Sequence, residues 1–341
     1  MSVAPKGRLR RLLPRSSAAL IIVALLAGGW FWYRSAVAPV AMQVSPMRFV
    51  VPKGAGVRTV AAALRRQGVG VTPTGLWLWY KWRGLDGQLK AGTYEFTAPI
   101  TVDALLGKMA RGEVLIVDIR FIEGWTFKQM RAAVDAHPDL LHETRGLDDA
   151  ALLQKIGASY ARPEGLFFPD TYTFSPGFSD LELYKLAHRN LQQALDTAWQ
   201  ARADALPYRS PYEALIMASI IEKETGRADE RDKVAAVFVN RLKRGMLLQS
   251  DPTTIYGLGA AFDGNLRKRD LQADTAFNTY TRAGLPPTPI ALAGRASLQA
   301  ALRPADSTAL YFVARGDGSS EFSDDLASHN RAVWRYQKGG R

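Results

Sequence analysis

The stretch from Ser210 to Gly226 constrains this chain most. Residues 214–221 contain one polar side chain, Ser219, so a helix there is apolar on nearly every side and demands burial. Ser210, Pro211 and Glu213 make a start signal: a capping hydroxyl, a proline suited to the first helical position, and an acid completing a capping box. Gly226, after Thr225, is a stop. The helix runs straight into Glu222. That carboxylate follows Ala218 by four residues and Ser219 by three, so it continues a face of small side chains. Held against apolar surface, it resists ionising, and its pKa is expected to rise. A general acid working near neutral pH needs that property. The competing reading is a helix-end glutamate, solvated or paired with Lys223 or Arg227.

Residues 229–244 predict a second helix, with Val234, Val237, Phe238 and Leu242 as its core stripe. Asp251-Pro252-Thr253-Thr254 is another helix start, with Asp251 as the cap. A helix N-terminus near Glu222 would present hydrogen-bond donors to a substrate.

Three runs in this order, ASIIEKET, ERDKVAAVFVNRL and LQSDPTTIYGLG, resemble the signature of the YceG-like endolytic murein transglycosylases. These are membrane-anchored enzymes that cut glycan strands of peptidoglycan. The blocks EGLFFPDTY, Phe277-Asn278-Thr279-Tyr280 and GLPPTPI resemble further parts of the pattern. The resemblance implies Glu222 as the catalytic acid, with Gln249, Asp251, Thr253 and Tyr256 in the cleft. It implies Asn278 and Tyr280 as partners for sugar acetamido or hydroxyl groups, and Glu164 as a second carboxylate or substrate positioner. For Asp251 the competing reading is capping, for Thr253 first-turn solvation, for Glu164 a turn residue, and for Asn278 and Thr279 loop structure. Ser320 stands where the family often carries a His, which removes that histidine's contribution to any proton relay through the block. His329, lone on a terminal helix, reads as structural.

Residues 18–33 are apolar and uncharged. They follow Lys6, Arg8, Arg10, Arg11 and Arg15 and end in Trp30-Phe31-Trp32-Tyr33. Basic residues on one flank and an aromatic belt on the other describe a membrane span with a cytoplasmic N-terminus. Ala36-Val37-Ala38 has the form of a signal-peptidase site, so a cleaved signal peptide is the rival. The net charge of +12 admits nucleic acid, a membrane surface or an acidic polymer. The absence of zinc-finger, helix-turn-helix or RNA-binding spacing argues against nucleic acid. The chain has no cysteine, which excludes disulfides and thiolate metal sites. Its four histidines form no HExxH arrangement, so neither a metal nor an organic cofactor is expected.

The organisation that follows is a basic cytoplasmic tail (1–16), a transmembrane helix (17–34), a tether (35–47), a small domain (48–115) and a larger one (116–337). The small domain reads strand (48–51), helix (57–67), helix (from Thr72-Pro73), strand (91–96), helix (101–111). This β-α-α-β order resembles a LysM-like domain, and Trp77, Trp79, Tyr80 and Trp82 are either its core or a sugar platform. The larger domain reads a β-run (114–122), helices at 127–135 and 150–156, and a long helix from 180 to about 206. The fold class is α+β. The resemblance implies that the catalytic helix packs on a mostly antiparallel sheet.

The expected activity is endolytic lytic transglycosylation at MurNAc-GlcNAc bonds. It leaves 1,6-anhydro-MurNAc ends and terminates elongation of nascent strands at the inner membrane, with the catalytic domain periplasmic. A muramidase-type hydrolase and a non-catalytic scaffold for peptidoglycan synthases (penicillin-binding proteins) are the alternatives. Peptidoglycan strands, the membrane and those synthases are the partners the resemblance implies.

Overall fold

The computed structural model describes residues 15–339, with side chains from residue 19 onward. The basic cluster Lys6, Arg8, Arg10 and Arg11 lies outside them. The chain divides after Ile116 into two compact units.

The first unit opens with α1 (Arg15–Val37), within which residues 19–37 are long and apolar enough to cross a membrane. β1 (Pro39–Val40) follows, then β2 (Met47–Val51), α2 (Val57–Arg66), α3 (Pro73–Trp82), β3 (Gly92–Phe96), β4 (Ile100–Thr101) and α4 (Val102–Arg111). β2 and β3 are antiparallel, with Phe49 opposite Tyr94. Their alternating burial puts Met47, Phe49 and Val51 inside. Thr72 caps α3 by accepting from the Gly75 N–H, Thr101 caps α4 likewise, and Gly112 ends α4 in the left-handed region at φ 72°. Residues 35–47, expected as a tether, are fastened instead. β1 pairs with β4, Met42 bridges Val69, and Ala36 is buried in the unit's core. The aromatic quartet is divided as well. Trp79 and Tyr80 are core, Trp77 lies under the Arg58 guanidinium, and Trp82 is 58% exposed.

The second unit contains β5 (Val117–Arg120), α5 (Phe127–Ala136), β6 (Leu140–Leu141), α6 (Asp149–Ile156), β7 (Thr171–Phe174), β8 (Phe178–Ser179) and α7 (Asp180–Gln200). Then come α8 (Pro211–Glu224), α9 (Arg231–Lys243), α10 (Asp251–Leu258), α11 (Lys268–Gln272), α12 (Arg295–Leu302), β9 (Tyr311–Ala314), β10 (Ser320–Ser323) and α13 (Leu326–Val333). The described strands pair only two by two: β5 with β7, β9 with β10, and β6 with β8 in parallel. The expected sheet beneath the catalytic helix is therefore replaced. α8 is enclosed by α7, α9, α10 and α12. The reason is visible in the sequence: residues 214–221 are apolar all round, which suits a central helix better than one lying on a sheet. All eight are buried.

The predicted β-run shrinks to β5, and α7 stops at Gln200, short of 206. There the chain turns out through Ala205 at φ 56°, before Pro207, which cannot continue a helix. The cap of α10 is Ser250, one residue before the expected Asp251. At the start of α8 the Ser210 hydroxyl accepts from the Glu213 N–H, but Glu213 reaches past Ser210 to the backbone and guanidinium of Arg209.

The lone polar residue of the α8 core has a clear task. Ser219 Oγ donates to the Ile216 carbonyl at 2.7 Å and accepts from the Ile290 N–H at 3.0 Å, tying the proline-rich loop to the helix. Ser219→Ala strands a buried N–H and should lower the unfolding free energy by about 1–3 kcal/mol. Denaturant melts of the two proteins check this, and an unchanged midpoint would contradict it.

Candidate active site

The last turn of α8 carries two carboxylates, Glu222 and Glu224. Two residues on a helix are about 200° apart, so they face different surroundings.

Glu222 is half-buried and accepts from the Gly294 N–H at 2.9 Å, at the N-terminus of α12. A carboxylate suits that end of a helix dipole. A Cβ on Gly294 would lie 1.9 Å from Glu123 Oε1, so a second acid crowds the same bare backbone. Glu123 is held above the usual carboxylate range by burial and then by the charge of Glu222, with Arg231 and Arg120 opposing. The two expected counter-ions are engaged elsewhere: Lys223 donates to the Gly124 carbonyl, and Arg227 binds Asp229.

Glu224 opens onto a cleft of about 420 Å³, which Arg241, Gln249, Asp251, Tyr280 and His329 also line. Its Oε1 accepts from Ser250 Oγ at 2.5 Å. Burial pushes its pKa up to about 7; the Ser250 hydrogen bond resists, the Asp251 charge adds, and the Arg241 charge resists. The desolvation expected at Glu222 thus acts on Glu224, in a cleft lined by polar and charged side chains. Arg241 is buried and pinned by the carbonyls of Leu310 at 2.7 Å and Leu248 at 2.8 Å, with its guanidinium over the Tyr311 ring. It also donates to Gln249 Oε1 at 3.3 Å. Gln249 has φ 53°, a conformation costly for a residue with a side chain, held by its N–H bond to the Thr279 carbonyl. Such strain tends to mark functional positions. Tyr280 donates to Asp251 Oδ1 at 2.6 Å, and burial raises its phenol so that it stays protonated. His329 stacks on Tyr311, and burial, then the Arg241 charge, lower its pKa.

The remaining predicted site residues make hydrogen bonds within the fold. Glu164 is 6% exposed; it accepts from the Phe127 N–H at 2.8 Å and from the Tyr256 hydroxyl at 3.1 Å. Burial raises it to about 7, against those two hydrogen bonds. Neither Glu164 nor Tyr256 lines the cleft. Thr253 is fully buried, its hydroxyl donating to the Ser250 carbonyl and paired with Thr279. Asn278 is 1% exposed. Its amide donates to the carbonyls of Leu271 and Ala273 and accepts from Thr254 and the Tyr280 N–H, leaving nothing for a sugar. Asn278 and Thr279 shape the loop that places Gln249 and Tyr280. Of the predicted set, the fold therefore gathers Gln249, Asp251 and Tyr280 around Glu224, and not around Glu222.

Sequence reasoning missed Glu224, Arg241 and Ser250, and read His329 as structural. A signal for Glu224 existed, since it follows Ile220 by four residues and Ile221 by three. Glu222 follows Ala218 and Ser219 in the same way, and every one of those residues is buried. A helix buried all round gives no periodicity with which to choose. Ser320 pairs across the hairpin with Ala314, a cleft residue, and its N–H donates to Glu230.

Comparison with known proteins agrees with this architecture. The model of the YceG-like family matches residues 49–335. The chain belongs to the YceG-like family. It is 30% identical to an endolytic murein transglycosylase of Bacillus subtilis (strain 168), over 92% of this chain and 91% of that one. An endolytic murein transglycosylase of Streptococcus pneumoniae (strain D39) is 26% identical over 92% of this chain and 63% of its own length. The crystal structure of a YceG-like protein from Listeria monocytogenes superposes with a TM-score of 0.51 at 27% identity, covering 84% of this chain and 98% of that one.

Because the folded-state pKa of Glu224 is raised, its contribution to stability is present at low pH and lost as pH climbs through about 7. Glu224→Gln keeps an acceptor for Ser250 and removes the buried charge. With solvent screening at the cleft mouth, the variant should be more stable than wild type by about 1–2 kcal/mol near pH 8, with no gain near pH 4. Denaturant melts at the two pH values check this; a gain of equal size at both would contradict it.

Proposed function

We propose that this protein is an endolytic murein transglycosylase in which Glu224 is the acid. The supporting observation is the convergence of Gln249, Asp251, Tyr280 and the fixed cation Arg241 on one half-buried carboxylate whose pKa is raised to about 7. The names of the relatives at 30% and 26% identity support the same activity. Protonated Glu224 donates to the glycosidic oxygen between N-acetylmuramic acid and N-acetylglucosamine, and the C1–O bond breaks. The resulting carboxylate, stabilised by Arg241, takes the proton of the muramyl C6 hydroxyl as that oxygen bonds to C1. The product is a 1,6-anhydro end, and the acid returns to its starting state. The attacking group is already part of the substrate, so a second activated carboxylate is unnecessary. Glu222 holds the N-terminus of α12 instead.

The wider assignment follows from the same reading. The first unit is a LysM-like domain, and α1 is an uncleaved single-pass anchor in the inner membrane, with the catalytic unit periplasmic. The anchor is favoured over a cleaved signal because Ala36 is buried in the unit's core and Trp32 and Val37 pack against it. Cutting after Ala38 would discard all three. Peptidoglycan synthases are the partners such an enzyme would serve.

Two outcomes test the proposal. Digestion of peptidoglycan by the full chain in detergent, read by mass spectrometry, should give internal cuts with anhydro-muramyl ends. Glu224→Gln should lose roughly 10²–10⁴-fold of the rate, the usual worth of a general acid, while Glu222→Gln stays within about tenfold. Reducing ends would convert the enzyme to a hydrolase. Full activity of Glu224→Gln would remove the acid assignment, and absence of cutting by folded wild type would favour the scaffold. Separately, kcat/KM should fall about tenfold per pH unit above about 7, because the acid must enter protonated. A profile flat to about pH 9 would contradict that.

A further inference from the structure

The end of α1 and the whole of α3 share one aromatic cluster. Trp32 lies 5.0 Å from Trp79 and 5.8 Å from Trp82 between ring centroids, and Tyr33 lies 5.9 Å from Trp79. α3 is therefore clamped to the last turns of α1. Four residues apart on α3, Leu78 and Trp82 occupy one face and remain 43% and 58% exposed. Trp30, Phe31 and Tyr33 on α1 are 64%, 73% and 48% exposed. Both helices thus present uncovered apolar side chains, and the contact of Trp32 with Trp82 joins the two sets. A soluble protein rarely leaves such a patch bare. Tryptophan and tyrosine bodies at this position are the side chains that favour the boundary between headgroups and acyl chains.

We propose that the first unit lies on the outer surface of the membrane, with Leu78 and Trp82 inserted at the headgroup-acyl boundary beside the aromatic end of α1. The occupant of the patch is lipid. The argument is continuity: α1 from Leu20 to Phe31 is exposed nearly all round, and the Trp32 contacts with Trp79 and Trp82 join α3 to its end. Lys81 and Arg83 are paired with Asp86 and Asp103, so apolar insertion rather than charge carries the contact. α3 is then a membrane-resting element and not a sugar platform. The proposal rests on α1 being a retained anchor.

The chain has no cysteine, so single labelling sites can be introduced without background. Leu25→Cys, Leu78→Cys and Val50→Cys, each in the full chain, would carry a nitroxide in phosphatidylcholine–phosphatidylglycerol vesicles. Val50 is 60% exposed on β2 and serves as the aqueous control. Collision with oxygen and with a water-soluble nickel chelate reports depth. Labels at 25 and 78 should favour oxygen several-fold over the label at 50. A label at 78 matching that at 50, with 25 still in lipid, overturns the proposal and leaves the anchor standing. A label at 78 shielded from both reagents means glycan or a second protein covers the patch, and overturns it too. Aqueous exposure at 25 as well removes the anchor and the proposal together.

Discussion

The burial of α8 on every side is the constraint from which the rest follows. A helix with eight consecutive buried residues leaves only its ends for chemistry, and its last turn carries two acids facing different neighbours. One meets the N-terminus of α12, where a bare Gly294 backbone accommodates both Glu222 and Glu123. The other meets the segment between α9 and α10, where Ser250, Gln249 and Arg241 converge. A Cβ at 294 would displace the Glu123 carboxylate from its place beside this backbone. The Gly294 N–H bond, rather than the helix pattern, is what fastens Glu222 to α12.

Glu224 is poised by a balance. Burial alone would hold it neutral, while Ser250 and Arg241 draw it back toward ionisation. A carboxylate that both gives and takes a proton in one cycle needs both influences. The cation must be immobile for this, and Arg241 is fixed by carbonyls on two sides and by a ring beneath it. Asn278 and Thr279 act one step further out: their hydrogen bonds hold the loop that forces Gln249 into its strained conformation.

Much of this was legible in the chain. The start signals at Ser210 and Thr72-Pro73 marked helices that the structure keeps, and the pattern over 101–111 marked a third. The blocks around the two acids were recognisable as one site. What the sequence withheld was direction. Helical periodicity identifies a face only when one side is polar, and α8 has no such side, so Glu222 and Glu224 were indistinguishable by pattern. The roles of Thr253 and Asn278 were hidden for a related reason: a polar residue in a motif reads alike whether it meets a ligand or a neighbouring loop. The sheet expected beneath α8 came from the resemblance, whereas residues 214–221, apolar all round, suit a helix enclosed by other helices. Residues 35–47 looked featureless because short pairings such as β1 with β4 need only two residues.

The division of labour between the two acids is the central claim, and a crystal structure of the Glu224→Gln variant with a bound murein oligomer tests it most directly. The account predicts a glycosidic oxygen within hydrogen-bond distance of the side chain at position 224, with sugar contacts from Gln249, Asp251 or Tyr280. A glycan seated instead against Glu222 and Gly294 would contradict it.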